Sequence, residues 1–181
     1  MCFRNIHSKI RTVRAIDEGL ELNVADAFAH LPDAEGRSFK TSGVESSQNT
    51  HQLTLPQGLF GFSEIRTMEL FYDKEELPFM WLREQKKDGL AFIVLEPGGI
   101  ISDYSLEISD ADVKLLDITG PEDTMILNIV TLPPDQSGKI SLNLVGPIIV
   151  NRRTLVGKQC IINNHEEFSA RHVLDVGGEG L

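Results

Sequence analysis

Cysteine, tryptophan and long apolar runs are scarce in this chain of 181 residues. Its two cysteines, Cys2 and Cys160, lie at opposite ends of the sequence and make no disulfide framework, which favours a reducing compartment. No apolar run approaches the roughly 20 residues that are needed to cross a bilayer. Residues 1–16 are cationic but lack the continuous apolar block of a signal peptide. These absences predict a cytoplasmic protein that does not interact with a membrane.

Familiar catalytic and cofactor-binding motifs are also missing. The sequence has no G-x-S-x-G, no P-loop and no dinucleotide fingerprint. His165 and His172 are seven residues apart, without a cysteine or carboxylate at a zinc spacing. Cys160 follows Gln159 in an apolar run, which is typical of a buried structural thiol. We therefore expect no enzyme activity, no catalytic residue, no cofactor and no metal; a hydrolase assembled from scattered residues such as His165 and Asp112 stays open as the alternative.

Basic residues are outnumbered, and the formal net charge is −10. Residues 1–50 carry six Lys or Arg and seven Asp or Glu, whereas residues 51–181 carry eleven and twenty. An acidic domain repels phosphate backbones, so direct binding of nucleic acid is disfavoured. The same charge attracts basic proteins, although solubility alone also explains it.

The composition changes near residue 50. Residues 35–50 are polar and rich in Ser, Gly and Thr, as linkers are. We predict that residues 1–50 form a largely disordered extension, with weak helical spacing over 20–31. Residues 51–176 are predicted to form one domain, followed by a flexible tail at 177–181.

Beyond residue 50, short apolar runs alternate with turn signals, which predicts a mainly β sandwich or barrel. Ser109 and Asp112 have the S-x-x-D spacing that caps a helix, so one or two helical turns are expected over 111–116. Strands alternating with long helices are missing, which argues against a parallel α/β sheet. The predicted strands lie at 53–55, 67–72, 79–82, 90–95, 104–108 and 124–132.

The run over residues 142–150 is apolar and β-branched but contains Asn143 and Pro147. Proline has no N–H to donate to a sheet, so Pro147 indicates an edge strand, a bulge or a bend. Asn151 is expected to close this strand, and residues 152–154 to turn the chain into a second run at 159–162. We expect one side of this segment to pack in the core and the other side to make a specific contact.

Four segments, in this order, resemble the FliW family of flagellar assembly factors. Residues 55–62, LPQGLFGF, are similar to the family's F-P-x-G-L-P-G-F block, and residues 77–82, LPFMWL, to its P-F-x-x-L-Q-S. Residues 90–97, LAFIVLEP, are similar to L-A-F-x-V-x-x-P. Residues 143–151, NLVGPIIVN, with GKQ at 157–159, are similar to N-L-x-A-P-I-V-I-N and K-Q-V-I-L. The resemblance covers about residues 51–174; it departs where Arg83 and Glu84 replace Gln and Ser, and where Gly146 replaces Ala.

The resemblance implies a small antiparallel β-barrel-like domain without enzyme activity. Proteins of this family bind flagellin in the cytoplasm and also bind CsrA, a basic RNA-binding translational regulator. Secretion of flagellin releases the FliW protein, which then binds CsrA and relieves repression of flagellin synthesis. A generic β-barrel module that binds another protein or peptide at a strand edge is the alternative.

Eight residues are candidates for contacting a partner. Aromatic and apolar side chains near turns favour interfaces, but they are also typical of cores. The asparagines either satisfy backbone groups of the barrel or present amides to a partner. The candidates are Phe60, Phe62, Phe79, Trp81, Leu82, Asn143, Pro147 and Asn151.

Overall fold

The computed structural model describes residues 49–74, 77–132 and 139–175. Residues 1–48 of the extension predicted over 1–50, and the tail predicted at 177–181, lie outside these residues, whereas residues 49 and 50 begin the first strand. Nine strands, one α-helix and two 3₁₀ turns (Pro121–Asp123 and His165–Glu167) are present in the described part. They are β1 (Asn49–Thr54), β2 (Thr67–Tyr72), β3 (Phe79–Arg83), β4 (Ala91–Leu95), α1 (Asp110–Leu115), β5 (Thr124–Thr131), β6 (Lys139–Leu142), β7 (Ile148–Asn151), β8 (Gly157–Gln159) and β9 (His172–Asp175).

The strands form a mainly antiparallel, nearly closed barrel-like sheet, as the sequence predicts. Strands β1 to β5 pair in chain order, and the first half of β5 then pairs with β7, which pairs with β8. The ring is closed at Thr54, which forms a parallel bridge with Val156 and donates its N–H to the Leu155 oxygen at 2.9 Å. The end of β5 pairs with β6, and β6 pairs with β9.

Apolar side chains at every second position of the strands fill the interior of the barrel. In β2, Met68 and Leu70 are buried, whereas the intervening Glu69 and the following Phe71 are half-buried. Successive side chains of a strand point to opposite faces, so every second residue enters the core. The same inner face receives Leu82 from β3, and the main cluster continues with Leu53, Val94, Leu127, Ile148 and Val150.

Two further clusters lie outside the barrel. One packs Phe79 and Leu95 against β6 and the residues that follow it, so β3 and β4 are apolar on both faces at one end. The other packs Leu116, beyond the end of α1, against Ile149 and Cys160. Strand β7 is buried at every position because it separates the barrel interior from this helix-side cluster.

The predicted helix is confirmed, with its first turn one residue earlier. Ser109 has an extended backbone, and its hydroxyl oxygen accepts the Asp112 N–H at 3.2 Å. An oxygen acceptor at this position satisfies one of the free N–H groups of the first turn. Asp110 and Asp112 lie in that turn, where the helix dipole favours negative charge.

Three strand predictions are wrong. The run expected at 159–162 is one of them, because β8 covers Gly157–Gln159 and residues 160–162 form no strand. Residues 104–108 form no strand, and the N–H of Glu107 donates to the Asn164 side chain at 3.0 Å and not to a neighbouring strand. The run at 142–150 is not continuous: β6 ends at Leu142, β7 begins at Ile148, and the residues between them form a corner. The bend that Pro147 predicts lies in this corner, and Asn151 ends β7 as expected.

Candidate functional site

The corner between β6 and β7 is held by Asn143. Its Oδ1 accepts hydrogen bonds from the N–H groups of Val145 at 3.2 Å and Gly146 at 2.9 Å. Pro147 is buried, and its carbonyl oxygen accepts the Cys160 N–H at 2.9 Å. The amide oxygen of Asn143 therefore accepts hydrogen bonds from the backbone of its own corner. Pro147 has no N–H to donate, and it lies where the chain passes from β6 to β7.

Asn151 organises the turn between β7 and β8. Its side chain is fully buried, and Nδ2 donates to the carbonyl oxygens of Leu116 and Asp117, each at 2.9 Å. Its Oδ1 accepts from the N–H groups of Arg153 at 2.8 Å and Thr154 at 3.2 Å. All four hydrogen bonds go to backbone groups, so this amide joins the turn to the end of α1.

Three basic side chains beside this turn are paired with carboxylates. Arg152 contacts Glu96, and Arg153 lies 2.9 Å from the Asp123 carboxylate. Burial raises the pKa of Glu96, and the Arg152 charge opposes this only in part. Hydrogen bonds from Thr119, with the Arg153 pair, hold the pKa of Asp123 below its ordinary value.

The third pair joins Lys158 of β8 to Asp112 of α1. Burial raises the pKa of the Asp112 carboxyl, but hydrogen bonds from Lys158 and Ser109 outweigh it, so the pKa lies below its ordinary value. The hydrogen bond to Asp112 likewise raises the pKa of Lys158. Beside this pair, burial raises the pKa of the Cys160 thiol to about 12, so the sulfur is protonated and unreactive at neutral pH.

A buried polar network links the corner to β5. The Tyr104 hydroxyl donates to the Leu144 carbonyl oxygen at 2.6 Å, and Asn128 Nδ2 donates to the Asn143 carbonyl oxygen at 2.7 Å. Desolvation raises the pKa of Tyr104 to about 12, against the lowering effect of a hydrogen bond from Asn128. Because Tyr104 and Asn128 are tied to two consecutive carbonyls of the corner, they fix its position relative to β5.

The candidate aromatic residues at positions 60 and 62 have different environments. Phe60 is 55% exposed, and its N–H donates to Oε1 of Gln159 at 2.9 Å. Phe62 is half-buried against the barrel core, where its ring lies edge-on to Phe92 with centroids 5.9 Å apart. Of these two rings, only that of Phe60 exposes more than half of its surface to another molecule.

The candidate residues of β3 lie on opposite faces of the strand. Leu82 is fully buried in the barrel, and Phe79 is buried in the outer cluster. Trp81 is half-buried on the outer face, directly opposite Phe71 on β2 and Ile93 on β4. We call Phe71, Trp81 and Ile93 the outer row.

A charged pair borders the outer row. Arg83 donates to the Glu69 carboxylate at 2.6 Å, and its guanidinium lies 5.0 Å from the centre of the Phe71 ring. The hydrogen bond from Arg83 keeps the pKa of Glu69 below its ordinary value. A half-buried apolar row with two aromatic rings and an arginine at its edge has the composition that protein interfaces favour.

A long groove runs along a different side of the domain. Its floor is made of half-buried apolar side chains from the segment before β5 and from β5 itself, and its far end reaches His51 and Tyr72. Two carboxylates, of Glu96 and Asp103, and two guanidinium groups, of Arg152 and Arg153, also line it. We call it the long groove; its floor includes Ile100, Tyr104, Ile108, Val113, Ile118 and Ile126.

The described residues offer few groups for chemistry. Within 49–74, 77–132 and 139–175, no cluster of three or more His, Cys, Asp or Glu side chains is placed to hold a metal ion. Asp112, which the hydrolase alternative invokes, forms side-chain hydrogen bonds with Lys158 and Ser109. In the same part of the chain, no helix is long and apolar enough to cross a membrane.

The structure brings together some of the sequence-predicted residues and separates others. Asn143, Pro147 and Asn151 lie along one corner and turn, whereas Phe60 and Trp81 occupy different surfaces. The partners of Trp81 in the outer row were missed by sequence reasoning. Their only signal was the outward position of each in an alternating strand, because lateral register across three strands is not visible in a single sequence.

Comparison with known proteins gives one consistent result. A sequence model of the FliW protein family matches residues 37–174, which begins upstream of the predicted boundary at residue 51. The flagellar assembly factor FliW of Leptospira biflexa serovar Patoc is 37% identical over 139 residues, covering 77% of this chain and 89% of that protein. The flagellar assembly factor FliW of Treponema pallidum is 36% identical over 114 residues, covering 63% of this chain and 75% of that protein. A crystal structure of a flagellar assembly factor FliW superposes with a TM-score of 0.60 at 27% identity, covering 72% of this chain and 88% of the other.

Proposed function

This chain belongs to the FliW family of flagellar assembly factors, and from that premise we propose that it binds flagellin in the cytoplasm and antagonises the translational regulator CsrA. Binding to flagellin would keep the protein occupied until flagellin is secreted. Release would then let it bind CsrA and relieve repression of flagellin synthesis. The protein acts in this scheme by binding alone, without catalysis and without a cofactor.

Family membership is the observation that carries this proposal, and the outer row supports it physically. Trp81 is the single tryptophan of the chain, and it lies half-buried between Phe71 and Ile93. Large aromatic side chains at the centre of an interface contribute much of its binding energy. We assign the outer row, with Phe60 as a separate contact, to the partner-binding surface. Phe62, Phe79 and Leu82 support these surfaces from the core.

The charge of the domain supports the choice of CsrA as a partner. CsrA is basic because it binds RNA, whereas residues 51–181 carry twenty acidic and eleven basic side chains. Opposite net charges accelerate the encounter of two proteins, and the acceleration falls as salt screens the charges. The same negative field disfavours direct contact between this protein and RNA.

The first test is co-purification with flagellin and with CsrA from the organism that encodes this chain. Trp81→Ala is expected to weaken capture of one or both partners, with a loss of roughly 2 kcal/mol or more in binding free energy if Trp81 is an anchor. Val173→Ala is the matched control because Val173 is 61% exposed on β9, away from the outer row. Phe60→Ala tests the second contact separately.

The folding of Trp81→Ala decides how a loss of binding is interpreted. An unchanged melting temperature with reduced binding supports the interface role of Trp81. Unfolding of the variant instead assigns Trp81 to the core and removes the outer row from the proposal. Failure of the folded wild-type chain to capture either flagellin or CsrA contradicts the proposed function, as does an association rate with CsrA that does not change with salt.

A further inference from the structure

Gln159 is the last residue of β8, in the GKQ segment that is similar to the family's K-Q-V-I-L motif. Its side chain is buried and forms two hydrogen bonds to backbone groups that are distant in sequence. Oε1 accepts the Phe60 N–H at 2.9 Å, and Nε2 donates to the Gly146 carbonyl oxygen at 3.0 Å. One buried amide thus joins the loop after β1 to the corner between β6 and β7.

Phe60 lies at the tip of a tight turn in that loop. The backbones of Leu59 and Phe62 exchange two hydrogen bonds, at 3.3 Å and 2.8 Å, so Phe60 and Gly61 are the two residues between them. Gly61 has a φ of 84°, a left-handed conformation that glycine adopts at little cost. The N–H of the first residue between the bonded pair has no acceptor within such a turn. Gln159 supplies that acceptor from another strand.

Apolar side chains anchor the base of the turn. Leu59 is buried in the barrel core, and the ring of Phe62 packs against the ring of Phe92. The ring of Phe60, by contrast, is 55% exposed. The hydrogen bond from Phe60 to Gln159 acts one residue beyond Leu59, on the backbone that carries the exposed ring.

The other end of the Gln159 amide meets a part of the chain that is held in place. The Gly146 N–H donates to Oδ1 of Asn143 at 2.9 Å, and the Asn143 carbonyl oxygen accepts a hydrogen bond from Asn128 at 2.7 Å. A side chain that is buried and bound to a fixed support holds the group at its other end in a defined position. The corner therefore serves as the support, and the turn with Phe60 is the part that is placed.

From these contacts we propose that Gln159 is a positioning residue for partner binding, which holds the turn so that the Phe60 ring is presented at a fixed place beside the corner. This inference rests on the proposed function, in which Phe60 contacts a partner. Gln159 is buried, so it acts through Phe60 and not by touching the partner. A contact group that is ordered before binding loses less conformational freedom when the partner arrives, and the affinity is higher for that reason.

Gln159→Met tests the inference because methionine has a similar length and lacks both hydrogen-bonding groups. The dissociation constant for the partner that depends on Phe60 is expected to rise about fivefold or more, as the loss of such a hydrogen bond predicts. Titration calorimetry with purified flagellin and with purified CsrA measures it. Gln57→Met is the matched control, because it makes the same change at an exposed glutamine of the same loop.

Phe60→Ala distinguishes positioning from a general weakening of the domain. If Gln159 acts through the Phe60 ring, adding Gln159→Met to Phe60→Ala changes the dissociation constant by less than about twofold. A role in stability alone would lower the melting temperature of Gln159→Met and leave the affinity of the folded protein unchanged. The coupling between the two substitutions is therefore a readout that a merely structural role does not move.

A measurement on the wild-type chain does not depend on the folding of any variant. The amide proton of Phe60 is expected to exchange with water more slowly than that of the exposed Gln57, because Gln159 binds it. Nuclear magnetic resonance spectra resolve the two rates. Equal rates would overturn the inference without any partner present.

The outcomes for this inference and for the proposed function are distinct. If the wild-type chain binds a partner and folded Gln159→Met binds it equally well, the positioning role alone is overturned. The same holds if Phe60→Ala changes neither affinity, or if Gln159→Met has the same effect with and without the Phe60 ring. If the folded wild-type chain binds neither flagellin nor CsrA, the proposed function fails and the inference fails with it.

Discussion

Asn151 and Leu116 are 35 positions apart, yet Nδ2 of Asn151 donates a hydrogen bond to the Leu116 carbonyl oxygen at 2.9 Å. Leu116 is the C-cap of α1, where carbonyl groups have no partner inside the helix. A side chain from the end of β7 thus completes the end of a helix on the other side of a buried cluster. The turn, the helix and the barrel wall consequently share one hydrogen-bonded residue.

Asn151→Ala is expected to lower the free energy of unfolding by about 2–4 kcal/mol, because it leaves buried backbone groups of the turn and the helix end unpaired. Urea unfolding followed by circular dichroism measures the loss. Asn163→Ala is the control, since Asn163 is exposed. Equal stability of the two variants would contradict the structural role of Asn151.

Lys158→Met is expected to lower the melting temperature at neutral pH, because it leaves the Asp112 carboxylate without its cation. The lowered pKa of Asp112 stabilises the native state above its ordinary value of 3.8, and this contribution is lost as the pH falls through the folded pKa. The raised pKa of Lys158 stabilises below its ordinary value of 10.5 and is lost as the pH rises through the folded pKa. The difference between wild type and variant should therefore shrink at strongly acidic pH.

Thermal unfolding across the pH range tests this expectation. Lys114→Met is the matched control, because Lys114 is an exposed lysine on the same helix as Asp112. A stability difference for Lys158→Met that stays constant from neutral to strongly acidic pH would show that the pair is not the cause.

Tyr104→Phe is expected to remove part of the alkaline loss of stability. The folded pKa of about 12 lies above the ordinary value of 10.0, so in this interval the native state retains a proton that the unfolded state releases. Stability then falls as the pH rises from 10 toward 12, and the phenylalanine variant lacks this contribution. Denaturant unfolding at neutral and alkaline pH measures the difference, with Tyr72→Phe as the control that keeps the Tyr104 hydroxyl. An equally steep alkaline decline in both variants would count against a buried Tyr104.

Gly58→Ala is expected to destabilise the turn that carries Phe60 more than Gly61→Ala does. Both glycines have a positive φ, 67° and 84°, so each alanine carries a backbone cost on the order of 1 kcal/mol. A Cβ at Gly58 would also lie 2.5 Å from the Phe62 carbonyl oxygen, whereas a Cβ at Gly61 meets no atom within 4 Å. Melting temperatures of the two variants provide the comparison, and equal values would mean that the turn relaxes around Cβ of residue 58.

Local patterns predicted several elements well. The alternation of Met68 and Leu70 with Glu69 and Phe71 fixes both the strand and its inward face. Ser109 and Asp112 predict the helix start because the capping interaction involves only residues that are close in sequence. Such elements could be read from the sequence because their cause lies within a few residues.

Other features depend on distant groups. Tyr104, Leu106 and Ile108 alternate like a strand, but the Asn164 side chain takes the hydrogen bond of Glu107 that a neighbouring strand would otherwise accept. The single strand expected over 142–150 is divided because the Asn143 side chain binds two backbone groups of its own turn. Some short polar side chains compete with a sheet for backbone hydrogen bonds. The spacing of apolar residues does not show which ones do.

The candidate site shows the same limit. Trp81 could be selected as a lone tryptophan beside a turn, and the backbone-binding role weighed for Asn143 and Asn151 agrees with their hydrogen bonds. The outer row could not be assembled, since the alignment of Trp81 with Ile93 depends on the register of two strands. The long groove is lined by residues from the segment 96–121, from β5 and from the turn after β7, and no local pattern specifies that these meet.

The closure of the barrel at Thr54 has a mechanical consequence. The preceding chain joins β1 at Asn49, whereas the bridge to Val156 lies at the opposite end of the strand. A force applied through that preceding chain, at right angles to β1, separates β1 from β2 pair by pair, beginning at Asn49 and Tyr72. The bridge at Thr54 bears load only after the other pairs have opened. Tension in that direction is thereby taken up along β1 before it reaches the bridge at Thr54.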